Sequence, residues 1–463
     1  MDRVTAETDE NGVRRTYEYD AKGNLVKYTD GLGNSETYTY DANDNMVTLT
    51  NRNGNTYTYT YDAVNRVTSE TDPKGNTKTF TYNKRGEIVA VTDRNGNTTT
   101  YTLDGNGNIV ASTDAAGTVS EFTYDSMDNL VSVKLHRVDD VHGVDEYQET
   151  LYTYDHRGLV TTEVNAKGDG KVFVYDGNGN LISKTDEDGY VTEYDYSPVN
   201  LVSEIRYGDG KVANYLYDGT GDLIKMDDWN GTTSISMDLL DRITSVTDHK
   251  GRTVEYGWDA VGNKTSQGYP DGSQVDYWYD AENQIVQVQD FDGGVTLYEY
   301  DANGNKIYKE YPNNETAWYS YDVCDQIIEL DEYDLGGKKL YKTTYSWDAE
   351  GNRLSEMQYN HGQSPNAAAG PDALAEDPAT DDATAAPDTQ EQESTSLWDN
   401  ILDFFGLSAT DPAAPSVDLS SPDLEATSAE TPIVNAVSLP DPTANTAAGV
   451  FLDAAAETAA DTN

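Results

Sequence analysis

The chain has 463 residues, only 36% of them hydrophobic, and carries 35 Tyr against 7 Phe. A large dry core would invert that aromatic ratio, because each buried phenol needs a hydrogen-bond partner. Thirty-one basic against 83 acidic residues give a net charge of -52, which argues against nucleic acid and anionic membranes as partners. The single cysteine, Cys324, excludes an internal disulfide framework, and no apolar run reaches the ~18 residues of a membrane-spanning helix. Met1-Asp2-Arg3-Val4 does not open a signal peptide.

From its first residues the chain repeats itself. YEYDAKGNL (17–25), YTYDANDNM (38–46), YTYDAVNRV (59–67) and FTYNKRGEI (80–88) share an aromatic-x-Tyr-Asp signature followed by a short turn. The Asp slot begins at Asp20, Asp41 and Asp62 and recurs to Asp348, sixteen times in all, mostly every 21 residues. The step widens to 30 between Asp125 and Asp155 and to 26 between Asp322 and Asp348, and narrows to 20 between Asp218 and Asp238. The signature residues expected to repeat one geometry are Tyr17, Tyr19, Asp20, Gly23 and Asn24; Tyr38, Tyr40 and Asp41; Tyr59, Tyr61 and Asp62; and Tyr298, Tyr300, Asp301, Gly304 and Asn305.

Each unit reads as two strands. In TYTYTYD (56–62) the tyrosines alternate with threonines, the period of two that marks a strand. Asp then accepts from turn amides and Gly supplies positive φ. The second strand opens on an apolar residue five positions past the Asp slot, as in Leu25, Met46 and Val67, with Lys264, Lys306 and Arg353 as exceptions. It ends in a second turn such as DPKGN (72–76). Two strands and two tight turns per 21 residues leave no room for a helix, and the whole predicts a meander of about 32 strands. Twisted open sheets rarely exceed ~10 strands, so this one must wind into a spiral, each layer bonding to or packing on the last. The segments 134–150 and 331–342 read as extended hairpins projecting from that wall.

The opening DRVTAETDENG (2–12) matches NRVTSETDPKG (65–75) three periods later, so the chain starts inside a unit, and we expect a longer polypeptide. The repeat region is assigned to residues 1–362. Residues 363–463 are rich in Ala, Asp, Pro and Thr, with no Lys or Arg and 19 acidic residues, which leaves the repeats with 64 acidic against 31 basic, or -33. Such a tail buries too little apolar surface to order itself. Within it, residues 396–406 read as a short amphipathic docking helix whose apolar residues are Leu397, Trp398, Ile401, Leu402, Phe404 and Phe405.

The unit YxYDxxGN(L/I)xxxTDxxG resembles the YD repeat, also called the RHS repeat, of bacterial rearrangement-hotspot and wall-associated polymorphic toxins, insecticidal toxin-complex shell subunits and teneurins. The resemblance covers residues 2 to about 359. It implies an all-β fold of tandem hairpins in a spiralling, shell-like antiparallel sheet, a partial shell or arc, followed by a mostly disordered tail. In the bacterial members such a shell encloses a C-terminal toxin; in the animal ones it supports an adhesive surface. Bacterial shells usually close with a segment similar to RYYDPxxGRFxSxDPxGL, whose aspartates lie at an autoproteolytic site. Nothing similar follows Tyr359: Asp72-Pro73 occupies a turn slot, Asp377-Pro378, Asp411-Pro412 and Asp441-Pro442 lie in the tail, and none precedes Gly-Leu. Neither protease nor toxin is carried over.

The functional expectation is a non-catalytic scaffold, the shell portion of an exported or cell-surface protein that encapsulates or presents other segments. The alternative is a carbohydrate- or protein-binding adhesion module, in which Trp258, Trp278, Trp318 and Trp347, with Trp229, offer stacking faces. No cofactor is expected. DGNGN (104–108) and DANGN (301–305) share oxygen-rich spacing with calcium loops but lack the acidic residue an EF-hand carries at its twelfth position. His136 and His142, with Asp139 and Asp140, could form only an opportunistic metal site. No unit departs from the repeat so as to make a catalytic centre, and Cys324 has no histidine within its unit.

Overall fold

A computed structural model describes residues 3–139, 144–360 and 366–367. Among them there is no helix: strands follow one another through tight turns from Ala6–Thr8 to Arg353–Asn360. Every described pairing is antiparallel and joins strands consecutive in the chain. One unit serves for the rest. Thr56–Tyr61 pairs with Val67–Thr71 in the register Thr58↔Thr71, Tyr59↔Glu70 and Thr60↔Ser69, then shifts by a bulge to Tyr61↔Val67. Val67–Thr71 then pairs with Thr77–Tyr82 over three positions, Ser69↔Thr79 to Thr71↔Thr77.

Both turns are built alike. The Asp62 amide donates to the Arg66 carbonyl and the Asn65 amide to the Asp62 carbonyl; in the second turn, Asp72 to Asn76 and Gly75 to Asp72 repeat the pattern. This five-residue loop needs positive φ at its fourth position, where Gly75 has φ 90°. In seven of the first turns a non-glycine takes the position: Asp44, Asn65, Asp128, Asn200, Asp241, Asn283 and Asp325 have φ between 59° and 69°. Their side chains explain several of these. Asp44 Oδ1 accepts from Asn24 Nδ2 at 3.0 Å, Asn65 Oδ1 from Asn45 Nδ2 at 2.9 Å, and Asn200 Oδ1 from Asn180 Nδ2 at 3.0 Å. A bond to the preceding unit offsets the cost of a side chain in the left-handed region.

The irregular spacings have local causes. Between Leu223–Asp228 and Gly231–Met237 the register closes at Asp228↔Gly231, so the loop is only Trp229-Asn230, and the unit is one residue short. The two long units carry long strands: Leu130–Asp139 with Val144–Tyr154, and Ile327–Tyr333 with Lys339–Trp347. A two-residue strand, Asn366–Ala367, pairs with Met357 and Gln358, so sheet pairing continues past the boundary expected at residue 362. The rest of the tail, including residues 396–406, lies outside the described residues.

The described residues fall into two compact units. The first takes its residues from Met1–Thr123, Lys134–Tyr147 and Tyr217–Ala375, the second from Tyr124–Val133 and Gln148–Leu216. In the second, Tyr152, Val160, Phe173, Leu181, Tyr194, Val202 and Ile205 form an apolar cluster, each no more than 9% exposed. In the first unit the chain returns upon itself: turns of the opening hairpins lie on turns about 250 residues later. Asn11 Nδ2 donates to Asp259 at 2.8 Å, Asn53 Nδ2 to Asp301 at 2.8 Å, and Asn95 Nδ2 to Asp348 at 2.8 Å. One layer of the meander thus bonds to another, as the strand count requires.

Candidate functional site

The alternation gives each strand a tyrosine face and a threonine face. Along Thr56–Tyr61 the threonines are exposed and the tyrosines half-buried. On the threonine face hydroxyls bridge neighbouring strands, Thr60 to Ser69 at 2.6 Å and Thr50 to Thr56 at 2.9 Å.

On the other face the signature tyrosine has a specific partner. Tyr40 Oη donates to the Leu25 carbonyl at 2.8 Å, Tyr61 to Met46 at 2.7 Å, Tyr82 to Val67 at 2.8 Å, Tyr196 to Leu181 at 2.8 Å and Tyr300 to Ile285 at 2.8 Å. In each of these the acceptor opens the preceding unit's second strand, where the three-position ladder has run out. A phenol therefore completes backbone pairing that the bulge interrupts. Trp258 and Trp347 take the same slot and keep the donor: their indole N–H groups reach the Ile243 carbonyl at 2.7 Å and the Ile327 carbonyl at 2.6 Å. Leu103 and Met237 occupy the slot without a donor.

The signature aspartates serve the turns. Asp41 Oδ1 accepts from the Asn43 and Asn45 amides at 2.8 and 2.9 Å, while Oδ2 accepts from Asn45 Nδ2 at 2.9 Å; Asp301 repeats this with Asn303 and Asn305. At Asp41 these donors favour the carboxylate and hold it below its ordinary range. Thr220 and neighbouring amides hold Asp218 at about 2, and Asn352, with other donors including Asn95, does the same for Asp348. All the oxygens of Asp41 are thus occupied within its own turn, which accounts for the Asp-Asn pattern without calcium. Among the described residues no three or more His, Cys, Asp and Glu side chains gather as metal ligands would. His136 stacks on Tyr147 with centroids 4.6 Å apart, whereas His142 and Asp140 lie outside the described residues.

Where the layers meet, charge replaces apolar contact. Arg15 bonds Asp9 at 2.8 Å and Glu282 at 3.1 Å, and its guanidinium holds the Asp9 carboxyl below its ordinary range. Glu282 also accepts from the Gly31 amide at 2.9 Å. Arg52 lies 3.2 Å from Glu36, 3.5 Å from the buried Asp30 and 3.7 Å from Glu282, with its guanidinium 5.5 Å from the centre of the Tyr28 ring. Further along, Lys74 reaches Asp322 at 2.6 Å, and the Arg94 amide donates to Glu350. Burial pushes the Cys324 thiol up, away from the thiolate a nucleophile needs.

The tryptophans divide. Trp258 and Trp347 are spent on the backbone ladder. Trp229, Trp278 and Trp318 are 44%, 43% and 50% exposed. Trp318 sits on the threonine face with its ring 4.6 Å from that of Tyr308, across the register pair Tyr308↔Trp318. Sequence reasoning placed the turns at the Asp slots and both faces but missed the two-residue loop at Trp229-Asn230, the ladder and the layer contacts. The ladder had a signal: the only aromatic replacements of the second tyrosine, Trp258 and Trp347, both retain a hydrogen-bond donor.

The profile of the teneurin YD shell matches residues 70–272, and that of the RHS repeat matches residues 2–35, 19–56 and 40–77. No curated protein matches the chain. Among solved structures it is similar to TcdB2-TccC3-TEV, with a TM-score of 0.48, 15% identity, and coverage of 75% of this chain and 22% of that one. It is also similar to the Photorhabdus luminescens Tc holotoxin pore, with a TM-score of 0.45, 12% identity, and coverage of 74% of this chain and 25% of that one. The chain spans about a quarter of the length of these solved chains.

Proposed function

Because the chain belongs to the family of RHS and YD repeats, we propose that it is a non-catalytic shell scaffold, part of an exported or cell-surface protein of the polymorphic-toxin or wall-associated kind. In this reading it encapsulates or presents other polypeptide segments, and its partner is protein cargo. The observation that carries the reading is the use made of the signature residues. Tyr61 closes the backbone ladder, Asp62 and Asp72 close the turns, and the Asn53–Asp301 contact joins layers. Groups so committed to holding a wall are not available for turnover.

Proteolysis of the full chain tests enclosure. A glutamate-specific protease should cut after Glu391, Glu425 and Glu457 at least tenfold more slowly in the native chain than after denaturation. Cutting at the denatured rate overturns enclosure. A second reading, the carbohydrate- or protein-binding module, is favoured by the exposed Trp278 and Trp318. It requires glycan-array binding that Trp318→Ala abolishes.

A further inference from the structure

The third residue of the second-turn loop differs between loops that meet another layer and loops that do not. Asn11, Asn53 and Asn95 hold that slot in the loops 9–13, 51–55 and 93–97. Each donates its side-chain amide to the aspartate that opens a loop about 250 residues later, Asn11 to Asp259, Asn53 to Asp301 and Asn95 to Asp348, all at 2.8 Å. Lys74 fills the slot in the loop 72–76, again a donor, with its ammonium 2.6 Å from Asp322. Asp188, Asp209, Asp271 and Asp292 hold the same slot elsewhere, and among the described residues their bonds stay within their own turn or the adjacent one. A carboxylate in the slot would face the carboxylate of the opposite layer, and like charges disfavour each other.

The three layer-bound asparagines are each followed by glycine: Gly12, Gly54 and Gly96. Both members of each pair are exposed, and a Cβ on any of these glycines would meet nothing within 4 Å. No side chain therefore keeps the glycine nitrogen from the asparagine Cγ. In the closed loop that nitrogen is engaged. The Gly12 N–H donates to the Asp9 carbonyl at 2.9 Å, Gly54 to Asn51 at 2.9 Å and Gly96 to Asp93 at 3.1 Å. Attack on Cγ waits for the loop to open locally, and the bond to the opposite aspartate prolongs the wait.

We propose that Asn11, Asn53 and Asn95 are sites of spontaneous deamidation, and that their conversion parts the layers. The glycine nitrogen attacks the asparagine Cγ and gives up its proton. The new C–N bond replaces the one to the side-chain nitrogen, which leaves as ammonia. Water then opens the succinimide to aspartate or isoaspartate. The Nδ2 donor is gone, and a carboxylate stands against Asp259, Asp301 or Asp348. The converted loop carries the residue type that Asp271 and Asp292 already place in this slot, where no layer is bound. Each conversion adds one negative charge to repeats that carry -33, and it runs one way, so a layer that opens and converts does not close again.

Ageing of the full chain in mildly alkaline buffer tests this, read by peptide mapping that separates the three products and by hydrogen exchange. Asn178-Gly179 sets the pace of a pair outside the layer contacts: its side-chain amide lies 3.4 Å from Asn200, in the next turn. Aspartate and isoaspartate should be present at Asn11, Asn53 and Asn95 by the time Asn178 is fully converted. In molecules converted at Asn53, amides of residues 51–55 and 301–305 should exchange about fivefold faster or more, while residues 181–205 keep their protection. Asn53→Asp should show the same gain without ageing. If that variant also loses protection in residues 181–205 it has failed to fold, and the aged chain decides. Three asparagines still intact when Asn178 is fully converted, or a smaller gain in exchange, overturns the proposal.

Discussion

Residues 148–216 and residues 14–97 are built on one 21-residue plan, yet they bury different chemistry on the tyrosine face. In the former, Phe173 and Tyr194 are each 4% exposed among Val160, Leu181, Val202 and Ile205. In the latter, the equivalent slots hold Tyr17, Tyr38, Tyr59 and Phe80, all only half-buried, and their neighbours include Glu36, Arg52, Glu70 and Arg94. Both have the same turns and the same ladder, Tyr61 to Met46 in one and Tyr196 to Leu181 in the other. The lesson is that short-range bonds define the hairpin, which frees the face to be an apolar core in one place and a set of ion pairs between layers in another.

Acid acts on many turns at once and should separate the two regions most. Asp41, Asp62, Asp155 and Asp176 are among the turn aspartates held below their ordinary 3.8, and the fall reaches about 2 at Asp218 and Asp348. Their contribution is present above about 4 and is lost as pH falls towards 2. Residues 14–97 should lose hydrogen-exchange protection first, since Asp9, Asp259 and Asp348 also hold the layer contacts. Loss of protection first in residues 148–216 would show that the contacts between layers add nothing.

Next in size is the removal of one ring from each region. Phe173→Ala should cost about 3–5 kcal/mol in denaturant unfolding. Phe80→Ala, in the equivalent but half-buried slot, should cost roughly half as much. Equal costs would mean that the apolar cluster is no better packed than the charged face. The smallest effect should be common to both. Tyr61→Phe and Tyr196→Phe each remove one hydroxyl-to-carbonyl bond and should each cost about 1 kcal/mol. A marked difference between these two variants would show that the ladder depends on what surrounds it.

Much of this was legible before any coordinates. The strands, the turns and the alternation of Tyr57, Tyr59 and Tyr61 with threonines follow from contacts within a few residues, such as Asp62 with Val64 and Arg66. The stacking tryptophans were legible only as a set: that Trp258 and Trp347 bond the backbone while Trp278 and Trp318 stay exposed depends on what the neighbouring strands set opposite each ring. Sequence by itself determined the repeating hairpin, because its turns and alternation are local and are written into each unit. The tertiary structure alone decided that Arg15 meets Glu282, that Asn53 meets Asp301, and that Lys306 lies over Tyr319. The first two need the chain to return after about 250 residues, an offset set by small twists summed over many strands and stated by no single unit. The third needs two strands in register, with a bulge to turn the lysine towards the ring.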